Sequence, residues 1–218
     1  MTQSIQEQSE AFQAAAGGQM PADIAAVFAR EQEGYRAAGV PAGTVAVGDT
    51  LESFTLLDAR SRPVSVGELW SQGPAVIVFY RGGWCPYCNI ALRTYQRDLV
   101  PELDAFGARL VAISPQSPDQ SLSTQEKAEL SFTVLSDPGS AAARQLGIAF
   151  EPAEEVLVTQ RKLGLDLTQV NAEGSAELPM PTVLLVDTAG TVRFADVHAD
   201  YTTRTEVPAI LEALRSLG

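Results

Sequence analysis

Two cysteines and one histidine are the only thiol or imidazole groups among these 218 residues. The cysteines stand three apart in Trp84-Cys85-Pro86-Tyr87-Cys88. At that spacing on a helix, two thiols share one face and lie close enough to form a disulfide. A zinc centre would want four ligands, more than this chain offers, so no metal is expected. Two inert buried thiols are the bland reading. Against it stands the position of the motif, where a strand feeds a helix, which points to dithiol–disulfide chemistry.

The elements around the motif supply the reason. Residues 75–80 (AVIVFY) form an apolar run rich in strand-favouring types, so a buried strand is expected. Arg81-Gly82-Gly83 is turn material. Beyond the cysteines, Leu92, Tyr95, Leu99, Leu103 and Phe106 recur at helical steps. Cys85 then falls at a helix N-terminus, where unpaired N–H groups and the positive dipole end favour a thiolate. Pro86 suits that first turn, which needs no N–H there. Cys85 is expected to be the exposed, low-pKa nucleophile, and Cys88, one turn deeper, the resolving thiol. Arg81 could hold a thiolate charged or could be a solvated turn residue. Trp84 and Tyr87 either flank the sulfur and shape access or simply fill surface.

The net charge of −12 argues against nucleic-acid and anionic-membrane partners. No apolar run approaches membrane-spanning length, and the first ten residues lack a signal-peptide pattern. Two cysteines make no structural disulfide framework, so a reducing cytoplasm is the expected setting. Residues 1–44 read as a helical extension. In it, Ile24, Val27, Phe28, Tyr35 and Ala38 form one stripe, Asp23 is a candidate N-cap, and Gly17-Gly18 breaks a weaker preceding helix. Residues 45–218 read as the main domain. An early hairpin spans 54–66, and strands at 109–114 and 132–135 alternate with helices. Pro101 predicts a kink near Val100. Residues 151–178 read as a partly helical excursion near the active-site edge. An apolar strand at 182–186 and its antiparallel return at 192–197 precede an amphipathic closing helix. His198 reads as an exposed loop histidine.

This order of elements resembles the thioredoxin fold, an α/β arrangement with a central mixed β-sheet flanked by helices. Over residues 45–217 it is most similar to the AhpC/TSA, peroxiredoxin-like group. The motifs that carry the likeness are Gly48-Asp49 before the hairpin, FYRGGWCPYC, VLSDP followed by AAARQLGI, LLVDTAGTVRF and DYTTR. The resemblance implies a cis Met180-Pro181 bond, with the Met180 backbone docking an extended substrate. It implies no cofactor. Asp200, Tyr201 and Arg204, shared with relatives, would pin the last helix rather than take part in catalysis. Two departures stand out. Val78 and Gly82 occupy the places where typical peroxiredoxins carry Pro and Thr, and Phe79 stands where thioredoxins bury an Asp.

The expected function is a thiol-dependent redox enzyme cycling Cys85 and Cys88, reducing peroxides with electrons from thioredoxin, glutaredoxin or a low-molecular-weight thiol. A dithiol–disulfide oxidoreductase acting on protein or small-molecule disulfides is the alternative, and a redox sensor the third reading. A homodimer formed through the N-terminal helices is compatible with the sequence.

Overall fold

The computed structural model describes residues 3–16 and 20–217, so the expected break at Gly17-Gly18 lies outside the described residues. Two helices come first, α1 (Ile5–Ala16) and α2 (Ala22–Ala38). Pro21, in an extended conformation, is the N-cap of α2, not Asp23. Asp23 sits within the first turn, where its charge meets the helix dipole. No residue of α2 is fully buried.

Two short strands follow, β1 (Thr55–Leu57) and β2 (Pro63–Ser65), an antiparallel hairpin. After the short helix α3 (Gly67–Trp70), strand β3 (Ala75–Phe79) is buried at every position. It leads through the Arg81-Gly82-Gly83 turn into α4 (Pro86–Thr94). The helix then widens into a π-helical turn over Tyr95–Leu99 and continues as α5 (Val100–Leu103). This is the structure's answer to Pro101. The N–H of Val100 reaches back to the Tyr95 carbonyl, and Pro101 falls in the opening turn of α5, where a missing donor is tolerated.

The chain continues as β4 (Arg109–Ser114), α6 (Pro118–Lys127), β5 (Thr133–Ser136), α7 (Ala141–Gln145) and β6 (Ala149–Phe150). The Asp137 carboxylate starts α7 by accepting the N–H groups of Ala142 and Ala143, each at 3.0 Å. Residues 151–178 hold α8 (Glu154–Lys162) and α9 (Leu167–Val170), then enter β7 (Leu178–Pro179). Strands β8 (Thr182–Val186) and β9 (Val192–Val197) and helix α10 (Val207–Arg215) complete the fold.

The main sheet is mixed, in the order β2-β1-β5-β4-β3-β8-β9. Parallel pairing of β3 with β4 and of β4 with β5 forms its centre, β8 runs antiparallel to β3, and β9 antiparallel to β8 at the edge. Side chains alternate along β3. Val76 and Val78 join a core on one face with both cysteines, Leu92, Tyr95 and Ile210. Ala75, Ile77 and Phe79 join a second core on the other face with Leu146, Ile148 and Met180.

The expected cis Met180–Pro181 bond is corrected by the backbone. All described peptide bonds are trans, Met180–Pro181 included. Met180 packs in the core cluster that does not hold the cysteines, and its backbone is already engaged. Its N–H donates to the Ile148 carbonyl at 2.8 Å, and its carbonyl accepts the Thr182 hydroxyl at 2.9 Å. The Pro181 carbonyl accepts the N–H of His198 at 2.9 Å. The two-stranded sheet of β6 and β7 brings Ile148 alongside Met180.

The π-helical turn matters beyond its own geometry. Fully buried Tyr95 donates its hydroxyl to the Thr205 carbonyl at 2.7 Å, joining the cysteine helix to the loop before α10. Tyr95→Phe leaves that carbonyl without its partner. It should lower unfolding stability by about 1–3 kcal/mol, read as a lower urea midpoint with an unchanged m-value.

Candidate active site

The turn carrying the motif is held from three sides. Gly82 has φ +151°, and a side chain there would collide with the Trp84 indole. The Gly83 N–H donates to Gln116 Oε1 at 2.7 Å, and Asn89 Nδ2 donates to the Gly83 carbonyl at 2.8 Å. Cys85 is the N-cap of α4 in an extended conformation, and Pro86 opens the helix. Both cysteines are free thiols.

Cys85 is only 1% exposed, contrary to the expectation of an exposed nucleophile. What covers it is tertiary. A cavity of about 550 Å³ lies between α1, α2, the start of α4, the end of α8 and the Tyr201-Thr202 loop, and Cys85 forms part of its wall. Cys88 does not line it and lies deeper in the core. Trp84, Pro86 and Tyr87 all line this cavity, as does Arg81. Met180 and Pro181 do not.

Arg204 is the functional residue that sequence reasoning placed elsewhere. Its Nη2 lies 3.0 Å from the Cys88 sulfur and 3.9 Å from that of Cys85. Its Nη1 donates to the Tyr201 and Thr203 carbonyls at 2.6 and 2.5 Å, which fixes the guanidinium. Arg204 thus faces the thiols instead of merely pinning the last helix. It is separated from the cysteines by 119 and 116 positions, and no spacing pattern in a sequence reveals such a contact.

These contacts decide where the charge rests. Burial opposes ionisation of Cys88, but a hydrogen bond from Cys85, the Arg204 guanidinium and the backbone N–H of Arg81 outweigh it and hold its thiol well below the usual range. Burial raises the Cys85 thiol, and its bond to Cys88 and the Cys88 charge raise it further, against the pull of Arg204 and Arg81. The helix N-terminus favours Cys85, but the guanidinium is closer to Cys88 and the pair shares one charge.

Arg81 is 4% exposed, so it is not a solvated turn residue. Its guanidinium carbon lies 4.1 Å from the Tyr201 ring centroid and 5.1 Å from that of Trp84. Asp200 ties this loop to α2. It accepts Gln32 at 3.1 Å, the Thr202 hydroxyl at 2.7 Å and Arg36 Nε at 2.7 Å. His198 is also half-buried, not a free loop residue. Its Nδ1 meets Thr203 at 2.7 Å, and its Nε2 meets Asp196 at 3.1 Å.

A reduced, cation-held CxxC pair at a strand-to-helix turn on this sheet is now in view. Comparison with protein-family models matches residues 47–195 to the AhpC/TSA family. The chain belongs to the AhpC/TSA family. Relatives of this AhpC/TSA chain include "Putative peroxiredoxin bcp" of Haemophilus influenzae, 35% identical over 105 residues, covering 48% of this chain and 66% of that protein. Peroxiredoxin Q of Sedum lineare, a chloroplastic protein, is 33% identical over 104 residues, covering 48% and 55%. The chloroplastic thioredoxin-like protein AAED1 of Arabidopsis thaliana is 31% identical over 109 residues, covering 50% and 42%. The chain thus spans about two fifths to two thirds of the length of these relatives.

Among solved structures, peroxidoxin BcpB of Mycobacterium tuberculosis superposes with a TM-score of 0.61 at 22% identity, covering 79% of this chain and 97% of that one. Reduced Prx3 of Vibrio vulnificus gives 0.63 at 20%, covering 79% and 99%. These likenesses establish the thioredoxin-type fold. The family match includes Arg81, Cys85 and Cys88 and ends before Arg204. Among the described residues, no helix of this AhpC/TSA chain is long and apolar enough to cross a membrane.

Arg204→Met removes the cation beside both sulfurs. The first thiol ionisation, followed by thiolate absorbance near 240 nm, should move to higher pH, because the charged form loses its stabilising partner. Alkylation of the pair at pH 7 should slow by about tenfold or more.

Proposed function

We propose that this chain is a thiol-dependent peroxidase in which Cys85 attacks the peroxide and Cys88 resolves the product. The observation that carries the reading is that Cys85 forms part of the cavity wall while Arg204 lies within 4 Å of both sulfurs. The relatives named as peroxiredoxins support the same chemistry.

The resting pair holds one proton and one negative charge. Transfer of the Cys85 proton to Cys88 leaves the thiolate at the cavity wall, with Arg204 still beside it. The Cys85 sulfur attacks the terminal peroxide oxygen. The S–O bond forms as the O–O bond breaks, and the departing oxygen takes the proton from Cys88, giving an alcohol or water. Cys88, now a thiolate, attacks the sulfenic sulfur of Cys85. A disulfide forms and hydroxide leaves, becoming water with a solvent proton. An external dithiol, of the thioredoxin or glutaredoxin kind, or two small thiols then restore the pair. The Arg204 guanidinium supplies the electrostatic stabilisation that a peroxidatic Thr at position 82 would otherwise share.

The alternative, exchange with protein disulfides, needs an edge on which an extended chain can dock. The Met180 N–H is already bonded to the Ile148 carbonyl within the fold, which favours the peroxide reading over this one. A redox sensor would use the same thiols but react once rather than cycle with a reductant.

Two variants separate the roles. Cys85→Ser should react with hydrogen peroxide no faster than a free thiol in stopped-flow Trp fluorescence. Cys88→Ser should still be oxidised at Cys85 and stop there, leaving a sulfenic acid that dimedone traps and mass spectrometry locates. Equal loss of the first step in both variants would overturn the assignment.

A further inference from the structure

We infer that His198 is a positioning residue for the thiol pair: it clamps the residues on either side of Arg204 and so holds the guanidinium at the two sulfurs. This deepens the peroxidase reading and rests on it for the premise that Cys85 and Cys88 are the reacting groups.

Arg204 comes from the irregular stretch between β9 and α10, so its reach to the sulfurs depends on what fixes its neighbours. His198, the only histidine of the chain, meets both of them. Its Nδ1 lies 2.7 Å from the Thr203 hydroxyl, and its Nε2 lies 3.3 Å from the Thr205 hydroxyl. Thr203 gives its own hydroxyl proton to the Asp200 carbonyl at 2.9 Å, so Nδ1 is the donor of its pair. Nε2 also meets Asp196 Oδ2 at 3.1 Å. That bond is the main cause that holds the Asp196 carboxyl below its usual range. The His198 side chain is only 16% exposed, and each of its three nitrogens has a partner.

The clamp has a rigid base. His198 directly follows β9, and its backbone N–H donates to the Pro181 carbonyl at 2.9 Å, at the entry to β8. Strand β8 pairs with β3, which leads into the cysteine turn. The ring therefore stands on the same sheet as the sulfurs. Buried Thr205 is gripped at both ends, its hydroxyl by His198 and its carbonyl by Tyr95 at 2.7 Å. Hydrogen bonds fix direction as well as distance. A planar guanidinium that must lie 3.0 Å from one sulfur and 3.9 Å from the other needs both. Among the described residues, the side-chain bonds of His198 run to Asp196 and to the neighbours of Arg204 and not to the sulfurs, so its effect on the thiols passes through the guanidinium. The segment matched to the family ends at residue 195, so Asp196, His198 and Arg204 all lie beyond it.

His198→Leu removes both ring nitrogens and tests the clamp in the full chain. The first thiol ionisation, followed by thiolate absorbance, should move to higher pH, in the same direction as in Arg204→Met, because the thiolate loses a well-placed cation. Iodoacetamide labelling at pH 7 should slow by about threefold or more. In the Arg204→Met background, His198→Leu should leave the titration where Arg204→Met alone puts it, since the two residues act through one contact. A merely structural role would lower the urea midpoint without that dependence on Arg204. Should His198→Leu fail to fold by circular dichroism, Thr203→Val removes only the hydroxyl that meets Nδ1 and carries the same comparison. An unchanged titration in the folded variant, or an equal shift with and without Arg204, overturns the inference. Peroxide enters none of these measurements. If the wild-type protein reacts with hydrogen peroxide no faster than a free thiol, the peroxidase reading falls, and an Arg204-dependent shift still supports the clamp.

Discussion

One positive charge beside two buried sulfurs is the interaction on which this structure depends. Arg204 lies 3.0 Å from Cys88 and 3.9 Å from Cys85, in a place where an unpaired thiolate would be strongly disfavoured. Much of the surrounding architecture keeps that guanidinium in position. Two carbonyls of its own loop hold its Nη1, and Tyr95 holds the carbonyl of Thr205. Asp200 binds the same loop to α2. The π-helical turn that accommodates Pro101 also puts Tyr95 in reach of that loop, so a local backbone irregularity supports the electrostatics of the site.

The pair divides its tasks by depth. Cys88 lies in the core and takes the cation's closest contact. Cys85 forms part of the cavity wall and has the access. A single shared proton lets the charge move from the protected sulfur to the accessible one.

Closure of one surface and construction of another go together. The β6–β7 pair uses the backbone of Met180, where an extended peptide would otherwise dock. Meanwhile α1, α2 and α8 wall a cavity of about 550 Å³ beside Cys85. Trp84 joins these parts, because it packs against Leu157, Leu167 and Leu178 as well as against the cysteine core. The segment 151–178 thereby contributes both a wall of the cavity and support for the turn that carries the cysteines.

Local chemistry was legible without the fold. Alternation and apolar runs marked β3, β4, β8 and β9, the 3.6-residue rhythm marked the cysteine helix and α10, and the CxxC spacing at a strand-to-helix junction announced dithiol chemistry. All of these are set within a few residues along the chain, where periodicity and turn chemistry act. The helices of 151–178 were harder to read, because their burial comes from contacts with Trp84 and Phe150 rather than from a strong stripe of their own. The trans Met180–Pro181 bond, the burial of Arg81 and Cys85, the partners of His198 and the placement of Arg204 were decided only in three dimensions. Each depends on segments far apart in sequence meeting in space. Which of two neighbouring sulfurs carries the charge is a matter of ångströms from a guanidinium more than a hundred residues away, and a spacing pattern holds no record of that distance.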